Sequence, residues 1–236
     1  MNELSGFNPV VLIVLVVFVV LIRYGYERLI SLALKALSIE ITGLQIFIRS
    51  LLSILFNIGI LLAFGLLAPG LFQFLQPGAG AIFLGIGTGL ALLVAGLSYL
   101  ALRAGYGRGY EILVRSSTIN IILTLFTFLF LVGPSEDLFF IGFAQNILTP
   151  QLGWIAIIVY LVLFVAFHYA NVLSGVEKKE EFLGTLPVRL LASIVLALSF
   201  YFTKSLVYGF IIHNLTDTLS YLVLLYAGNR KTGKRK

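Results

Sequence analysis

Cysteine is absent from this sequence, histidine occurs only twice, and charged residues make up 11% of the chain. The absence of cysteine excludes disulfide bonds, catalytic thiols and every zinc site that needs a thiolate. Soluble domains carry about 25% charged residues, so the low charge content is typical of a chain that lies largely in lipid. The sequence is instead rich in long apolar runs, and its hydrophobic fraction is 60%.

These runs predict an all-α fold, a polytopic membrane helix bundle. About 20 apolar residues cross a hydrocarbon core of about 30 Å, and several runs approach that length. We expect seven to eight transmembrane helices, because Gly133 and Pro134 either bend one span or separate two. The first run, from about Pro9, has no cleavage site and is expected to be a retained helix. Residues 1–236 are expected to form a single integral membrane domain.

The net charge of +6 comes from basic residues at the ends of the apolar runs and in the tail 230–236. This distribution indicates cytoplasmic anchoring to anionic headgroups, so the bilayer is an expected partner and nucleic acid is not. We expect a multi-pass protein of the cell (plasma) membrane with a cytoplasmic C-terminus. Part of residues 23–49 is amphipathic and is expected to lie at the membrane interface.

Two glycines on the third apolar run, Gly85 and Gly89, are four residues apart. Small residues at this spacing let helix backbones approach closely in membranes. We therefore predict that this face of the third helix packs against a neighbouring helix.

A pair of adjacent carboxylates, Glu136 and Asp137, stands between apolar runs just after Pro134. Ionisable residues inside the membrane are costly and are candidates for a functional site. The free backbone N–H groups at a helix start favour negative charge, which makes this a suitable position for a carboxylate.

Both histidines also fall in apolar runs, and each has a polar neighbour on its own helix face. His213 and Asp217 are four residues apart, and His168 and Asn171 are three apart. Side chains at these spacings share one face of a helix. If the three helices converge, they form a polar pocket inside the membrane.

Such a pocket suits hydrolysis by either of two routes. A carboxylate in a low-dielectric site can act as general base on water, with hydrogen-bond donors opposite it to hold an oxyanion. Alternatively Glu136, His168 and His213 would ligate a divalent metal that activates bound water. The cofactor expectation is therefore open between none and one divalent metal ion.

Three short motifs in this order resemble the CPBP family of CaaX prenyl proteases and bacteriocin-processing intramembrane proteases. Residues 136–142, EDLFFIG, are similar to the family pattern Glu-Glu-x-x-Phe-Arg-Gly. Residues 164–168 match Phe-x-x-x-His, and residues 213–217 match His-x-x-x-Asn or His-x-x-x-Asp. The resemblance covers about residues 118–227, which would be the catalytic core.

The resemblance implies an intramembrane endopeptidase that acts on a membrane-bound or lipidated substrate, such as a CaaX-like or leader peptide. It implies that Glu136 is the general base and that His168 orients or activates the water. His213 and Asp217 would lie on the oxyanion side. The residues with a supporting role would be Asp137, Phe140, Phe164 and Asn171.

The sequence departs from the family pattern at three motif positions: Asp137 replaces Glu, Ile141 replaces Arg, and Asp217 replaces the usual Asn. An ionised Asp cannot donate a hydrogen bond to an oxyanion. Arg189 and Lys204 are candidates to replace the missing cation. Two alternative functions stay open, a non-catalytic family member that binds or protects a membrane partner and a proton-coupled carrier. The oligomeric state is not predicted.

Overall fold

The computed structural model describes residues 8–39, 42–103, 117–173 and 178–233, and no strand occurs among them. The all-α fold class is confirmed. In chain order the helices are α1 Pro9–Ala36, α2 Thr42–Ala63, α3 Pro77–Arg103, α4 Thr118–Phe130, α5 Val132–Leu152, α6 Ile155–Leu173, α7 Lys179–Thr203 and α8 Leu206–Gly233. A short 3₁₀ helix, Pro69–Phe72, lies between α2 and α3.

Five of these helices are long and apolar enough to cross a membrane, namely α1, α2, α3, α7 and the Leu206–Ala227 part of α8. Helices α4 and α5 form a pair bent by 54°, which gives six spans if the pair counts as one. The apolar part of α6, Ile155–Tyr169, would extend only about 22 Å at 1.5 Å per residue. A multi-pass membrane protein is therefore confirmed, whereas the count of seven to eight spans is not.

Helix α1 continues well beyond the apolar run from which it was predicted. It starts at an N-cap, where the Asn8 side chain accepts a hydrogen bond from the Val10 amide, and it runs without interruption to Ala36. Arg23 pairs with Glu27 one turn later and is buried within the protein, so this residue does not belong to an interfacial face, while the interfacial position of the rest of 23–49 stays a prediction.

The packing of α3 against α8 uses a different face from the one predicted. Nothing lies within 4 Å of a Cβ built on Gly85 or Gly89. A Cβ on Gly80 would clash with the Tyr208 ring, and one on Gly87 would lie 2.4 Å from Ile212. The prediction for Gly85 and Gly89 is therefore wrong, because the glycines in contact are Gly80 and Gly87, which lie on another face of the helix.

This packing predicts opposite effects for two glycine substitutions. Gly87→Ala is expected to destabilise the protein by about 1–3 kcal/mol, because the new methyl group forces α3 away from Ile212. Gly85→Ala is the matched control and should be neutral or stabilising by up to about 1 kcal/mol, since its Cβ meets open space. Thermal unfolding in detergent measures both, and equal melting temperatures for the two variants would contradict the packing described.

The bend between α4 and α5 creates a second helix start within this apolar pair. Leu131 separates the two helices, and the Gly133 amide donates a 2.7 Å hydrogen bond to Asn214 Oδ1 on α8. Within α5, residues Leu138–Gln145 form a π-helical segment in which every residue is buried. π-helical turns are rare and occur frequently at functional sites.

Candidate functional site

A cavity of about 700 Å³ lies between α3, α7 and α8, with α5 and α6 contributing polar groups to its lining. Much of its wall is apolar and comes from α3 and α7, including Val94, Leu97, Val188 and Ala192. Four of the polar lining residues belong to the three sequence motifs, namely Glu136, His168, His213 and Asp217. The structure therefore brings all four residues predicted as catalytic into one cavity.

Helix geometry explains why the adjacent carboxylates of α5 have different surroundings. Successive residues of a helix point about 100° apart, so neighbours cannot share a face. Glu136 faces the cavity, and 28% of its side chain is exposed. Asp137 is fully buried between α5 and α8. The first carboxylate is thus available to a substrate, whereas the second has only protein neighbours.

Glu136 lies between the two histidines. Its Oε2 atom is 3.6 Å from His168 Nε2 and 3.8 Å from His213 Nε2. Direct hydrogen bonds of this type measure about 2.7–3.2 Å, and polar contacts beyond 3.5 Å are commonly bridged by water. The arrangement suits a water molecule that is hydrogen-bonded to the carboxylate and to one or both imidazoles.

Each imidazole is held through its Nδ1 atom. His168 Nδ1–H donates to the Phe164 carbonyl oxygen at 2.9 Å, and His213 Nδ1–H donates to Asp137 Oδ1 at 3.0 Å. In a neutral ring this tautomer leaves Nε2 with a lone pair. Both Nε2 atoms face Glu136, so each neutral ring can accept a proton from the centre of the site.

His213 is surrounded by carboxylates. Besides Asp137 and Glu136, the Asp217 Oδ2 atom lies 3.7 Å from His213 Nε2. The predicted shared face of His213 and Asp217 is therefore confirmed. Asp217 is the more exposed of the two aspartates, with 34% of its side chain accessible against 1% for Asp137.

Aromatic rings support the histidine of α6. The Phe164 ring centroid is 4.2 Å from that of His168, and Phe140 packs edge-on against Phe164 at 5.3 Å. Phe164 thus contacts His168 directly and Phe140 packs against Phe164, while the supporting role of both residues stays a prediction. The backbone of Asn171 belongs to α6, while its side chain lies outside the part of the chain that the structure describes.

A metal ion was one of the two open expectations for this site. In the described ranges, no group of three or more His, Cys, Asp or Glu side chains has an arrangement that could hold a metal ion. Ligation of a divalent metal by Glu136, His168 and His213 stays a prediction, with the metal-free route as its alternative. The chemistry below is derived from the side chains alone.

Three basic residues are candidates to replace the arginine of the first motif, where this chain has Ile141. Arg189 lines the cavity that also contains Glu136, so its role as the replacement cation stays a prediction. Lys204 follows the end of α7 with a φ of 56° and stacks over the Tyr201 ring, away from the cavity lining. Sequence reasoning missed Arg23, whose Nη2 donates at 3.3 Å to the carbonyl oxygen of Ser135. Its one sequence signal was the i, i+4 spacing to Glu27 inside an apolar run.

Comparison with known proteins supports the resemblance noted from the motifs. Residues 118–219 match the model of a family described as type II CAAX prenyl endopeptidase Rce1-like. The match is consistent with the CPBP family, whose Rce1-like members are intramembrane proteases. No curated protein and no solved structure gave a significant match.

Proposed function

We propose that this chain, with its Rce1-like region at residues 118–219, is an endopeptidase that hydrolyses a peptide bond of a membrane-associated substrate. The observation that carries the proposal is the position of Glu136 Oε2, between the Nε2 atoms of His168 and His213 in one cavity. This arrangement provides a base, proton acceptors and room for a peptide. The family match supports peptide hydrolysis over other hydrolytic reactions.

The first step is attack of water on the scissile carbonyl carbon. Glu136 accepts a proton from the water as the new C–O bond forms, and His168 Nε2 accepts a hydrogen bond that orients the water. His168 is fixed for this task because its Nδ1 atom is bonded to the Phe164 carbonyl. General base catalysis by a positioned carboxylate contributes about 10²–10⁴-fold to the rate.

The second requirement is a donor for the tetrahedral oxyanion. His213 serves this role when it carries protons on both nitrogens, with Nδ1–H bonded to Asp137 and Nε2–H directed at the oxyanion. The protonated Glu136 then transfers its proton to the leaving amine. The C–N bond breaks, and the carboxylate of Glu136 is regenerated.

The substrate class follows from the wall of the cavity and from the family description. The lining is mostly apolar, which suits the apolar residues or the lipid group of a membrane-bound peptide. We propose a lipidated CaaX-type peptide as substrate, because residues 118–219 match a family of type II CAAX prenyl endopeptidases. The protein would act in the plasma membrane with its basic C-terminal tail in the cytoplasm.

Cleavage by reconstituted protein tests this function. The purified chain in liposomes is mixed with a prenylated CaaX-type peptide, with the same peptide without lipid, and with a hydrophobic leader peptide. Mass spectrometry of the products is expected to show one internal cut in the prenylated peptide. If the protein binds that peptide with micromolar affinity and cuts none of the three, the non-catalytic alternative replaces this proposal.

Asp217 gives a further test, because it departs from the family pattern. Asp217→Asn is expected to keep or raise kcat, by up to about tenfold or about 1.4 kcal/mol, because an amide can donate to the oxyanion where a carboxylate cannot. Steady-state cleavage of the same peptide measures the change. Loss of activity on this substitution would show that the negative charge of Asp217 is itself required.

A further inference from the structure

The carbonyl oxygen of Ser135, one residue before Glu136, is held by two side chains from other helices. Arg23 Nη2 of α1 donates to it at 3.3 Å, and Asn57 Nδ2 of α2 donates at 2.8 Å. Arg23 is 3% exposed and Asn57 is 1% exposed. Both residues lie outside the region that matches the family model.

The guanidinium of Arg23 also contacts Glu27 and two phenylalanine rings. Its Nη1 atom pairs with Glu27, and its carbon lies 5.9 Å from the ring centroids of both Phe139 and Phe167. Phe167 directly precedes His168 in the sequence, as Ser135 precedes Glu136. One buried cation therefore contacts the residues next to two members of the site.

The helix around Glu136 needs such support from outside. The π-helical segment begins at Leu138, two residues after Glu136, and the bend at Leu131 lies five residues before it. Hydrogen bonding changes register where α-helix and π-helix meet, so the direction of a side chain there depends on local anchoring. A hydrogen bond from a charged donor is about twice as strong as one between neutral groups, so Arg23 can hold this backbone position.

We propose that Arg23 and Asn57 are positioning residues, which fix the Ser135 carbonyl and thereby set the direction of the Glu136 carboxylate toward His168 and His213. Their effect on catalysis rests on the proposed peptidase function, whereas their effect on the geometry of Glu136 does not. A misplacement of about 1 Å at a reacting group costs about 100-fold in rate. Loss of the anchor should therefore lower turnover far more than it lowers stability.

Two substitutions remove the anchor and one serves as a matched control. Arg23→Lys keeps the ion pair with Glu27, but a single ammonium group cannot also reach the Ser135 carbonyl as the guanidinium fork does. Asn57→Leu removes the second donor at similar size. Arg49→Gln is the control, since Arg49 contacts the same Glu27 at 3.3 Å and is 44% exposed.

The first readout does not need enzymatic activity. Because the chain has no cysteine, Glu136→Cys introduces a single thiol at the site. Its rate of modification by a small polar thiol reagent, measured in liposomes, reports the orientation of residue 136 toward the cavity. Arg23→Lys and Asn57→Leu are each expected to change this rate, while Arg49→Gln leaves it unchanged. Equal rates in all four backgrounds would overturn the proposal, even if wild-type protein cleaves peptide.

The second readout separates positioning from stability. In protein that retains Glu136, the two anchor variants should lower kcat by about 10- to 100-fold with KM and melting temperature close to wild type. Parallel losses of kcat and thermal stability, with an unchanged thiol rate, would assign the two residues a structural role only. If Arg23→Lys does not fold, Asn57→Leu decides the question alone. Absence of cleavage by the wild type would refute the proposed function, and the thiol rates would still decide the anchor.

Discussion

Replacing Glu136 by glutamine is expected to nearly abolish peptide cleavage, with a fall in kcat of about 10²–10⁴-fold. Glutamine has nearly the same size and keeps a carbonyl oxygen near His168 and His213, but an amide cannot accept a proton from water at neutral pH. The expected loss is therefore in turnover, with binding of the peptide retained. Single-turnover cleavage in liposomes and a binding measurement on the same preparation separate the two.

The matched control is Glu180→Gln, the same chemical change at an exposed glutamate of the cavity lining. It removes one negative charge from the cavity without touching the cluster around His213, so the rate should stay close to wild type. Cleavage by Glu136→Gln at more than a tenth of the wild-type rate would rule out Glu136 as the general base. A comparable loss in Glu180→Gln would instead indicate that the charge of the cavity controls substrate entry.

The second large effect is expected at Asp137. Asp137→Asn should lower kcat by about 10²–10⁴-fold, because the buried carboxylate fixes His213 through Nδ1 and stabilises the ring in its doubly protonated form. An asparagine amide can turn its NH₂ group toward Nδ1 and select the opposite tautomer. NMR of labelled histidine, which reports the protonated nitrogen, measures this change alongside the cleavage rate.

Asp217→Asn is the internal comparison for this prediction, since both aspartates lie near the same imidazole on different nitrogens. A large loss of activity in Asp137→Asn, together with retained activity in Asp217→Asn, would assign Asp137 a supporting role. If Asp137→Asn cleaves as fast as wild type, His213 is not held by this carboxylate during catalysis. The oxyanion donor must then be sought elsewhere in the cavity.

Part of the site could be predicted because some of its residues are close together in the sequence and lie on one helix. The i, i+4 relation of His213 and Asp217 follows from helix geometry alone, and their atoms lie 3.7 Å apart. The convergence of α5, α6 and α8 required the assumption that costly polar groups in lipid meet each other. The partner of Asp137 could not be foreseen, because a contact across 76 positions between α5 and α8 has no periodic signature.

Three structural features could not be predicted from the sequence, each for a different physical reason. The π-helical segment has the same apolar composition as an α-helix, so no pattern separates the two. Gly87 and Gly85 stand on one helix at short separation, and only the position of Ile212 decides which of them is in contact. Part of residues 23–49 was expected at the interface because the stretch is amphipathic, whereas an acidic partner one turn away allows Arg23 to be buried.

The pairing of Arg23 with Glu27 has a consequence for the biosynthesis of the protein. The two side chains belong to one helix, so the charge of Arg23 can be compensated within α1 before any other helix is made. The Ser135 carbonyl, the other contact of Arg23, lies 112 residues later, which at about 5–20 residues per second means a delay of roughly 5–20 s during translation. Glu27 can thus compensate the guanidinium charge in the nascent chain until α5 is made, and it keeps this contact in the folded protein.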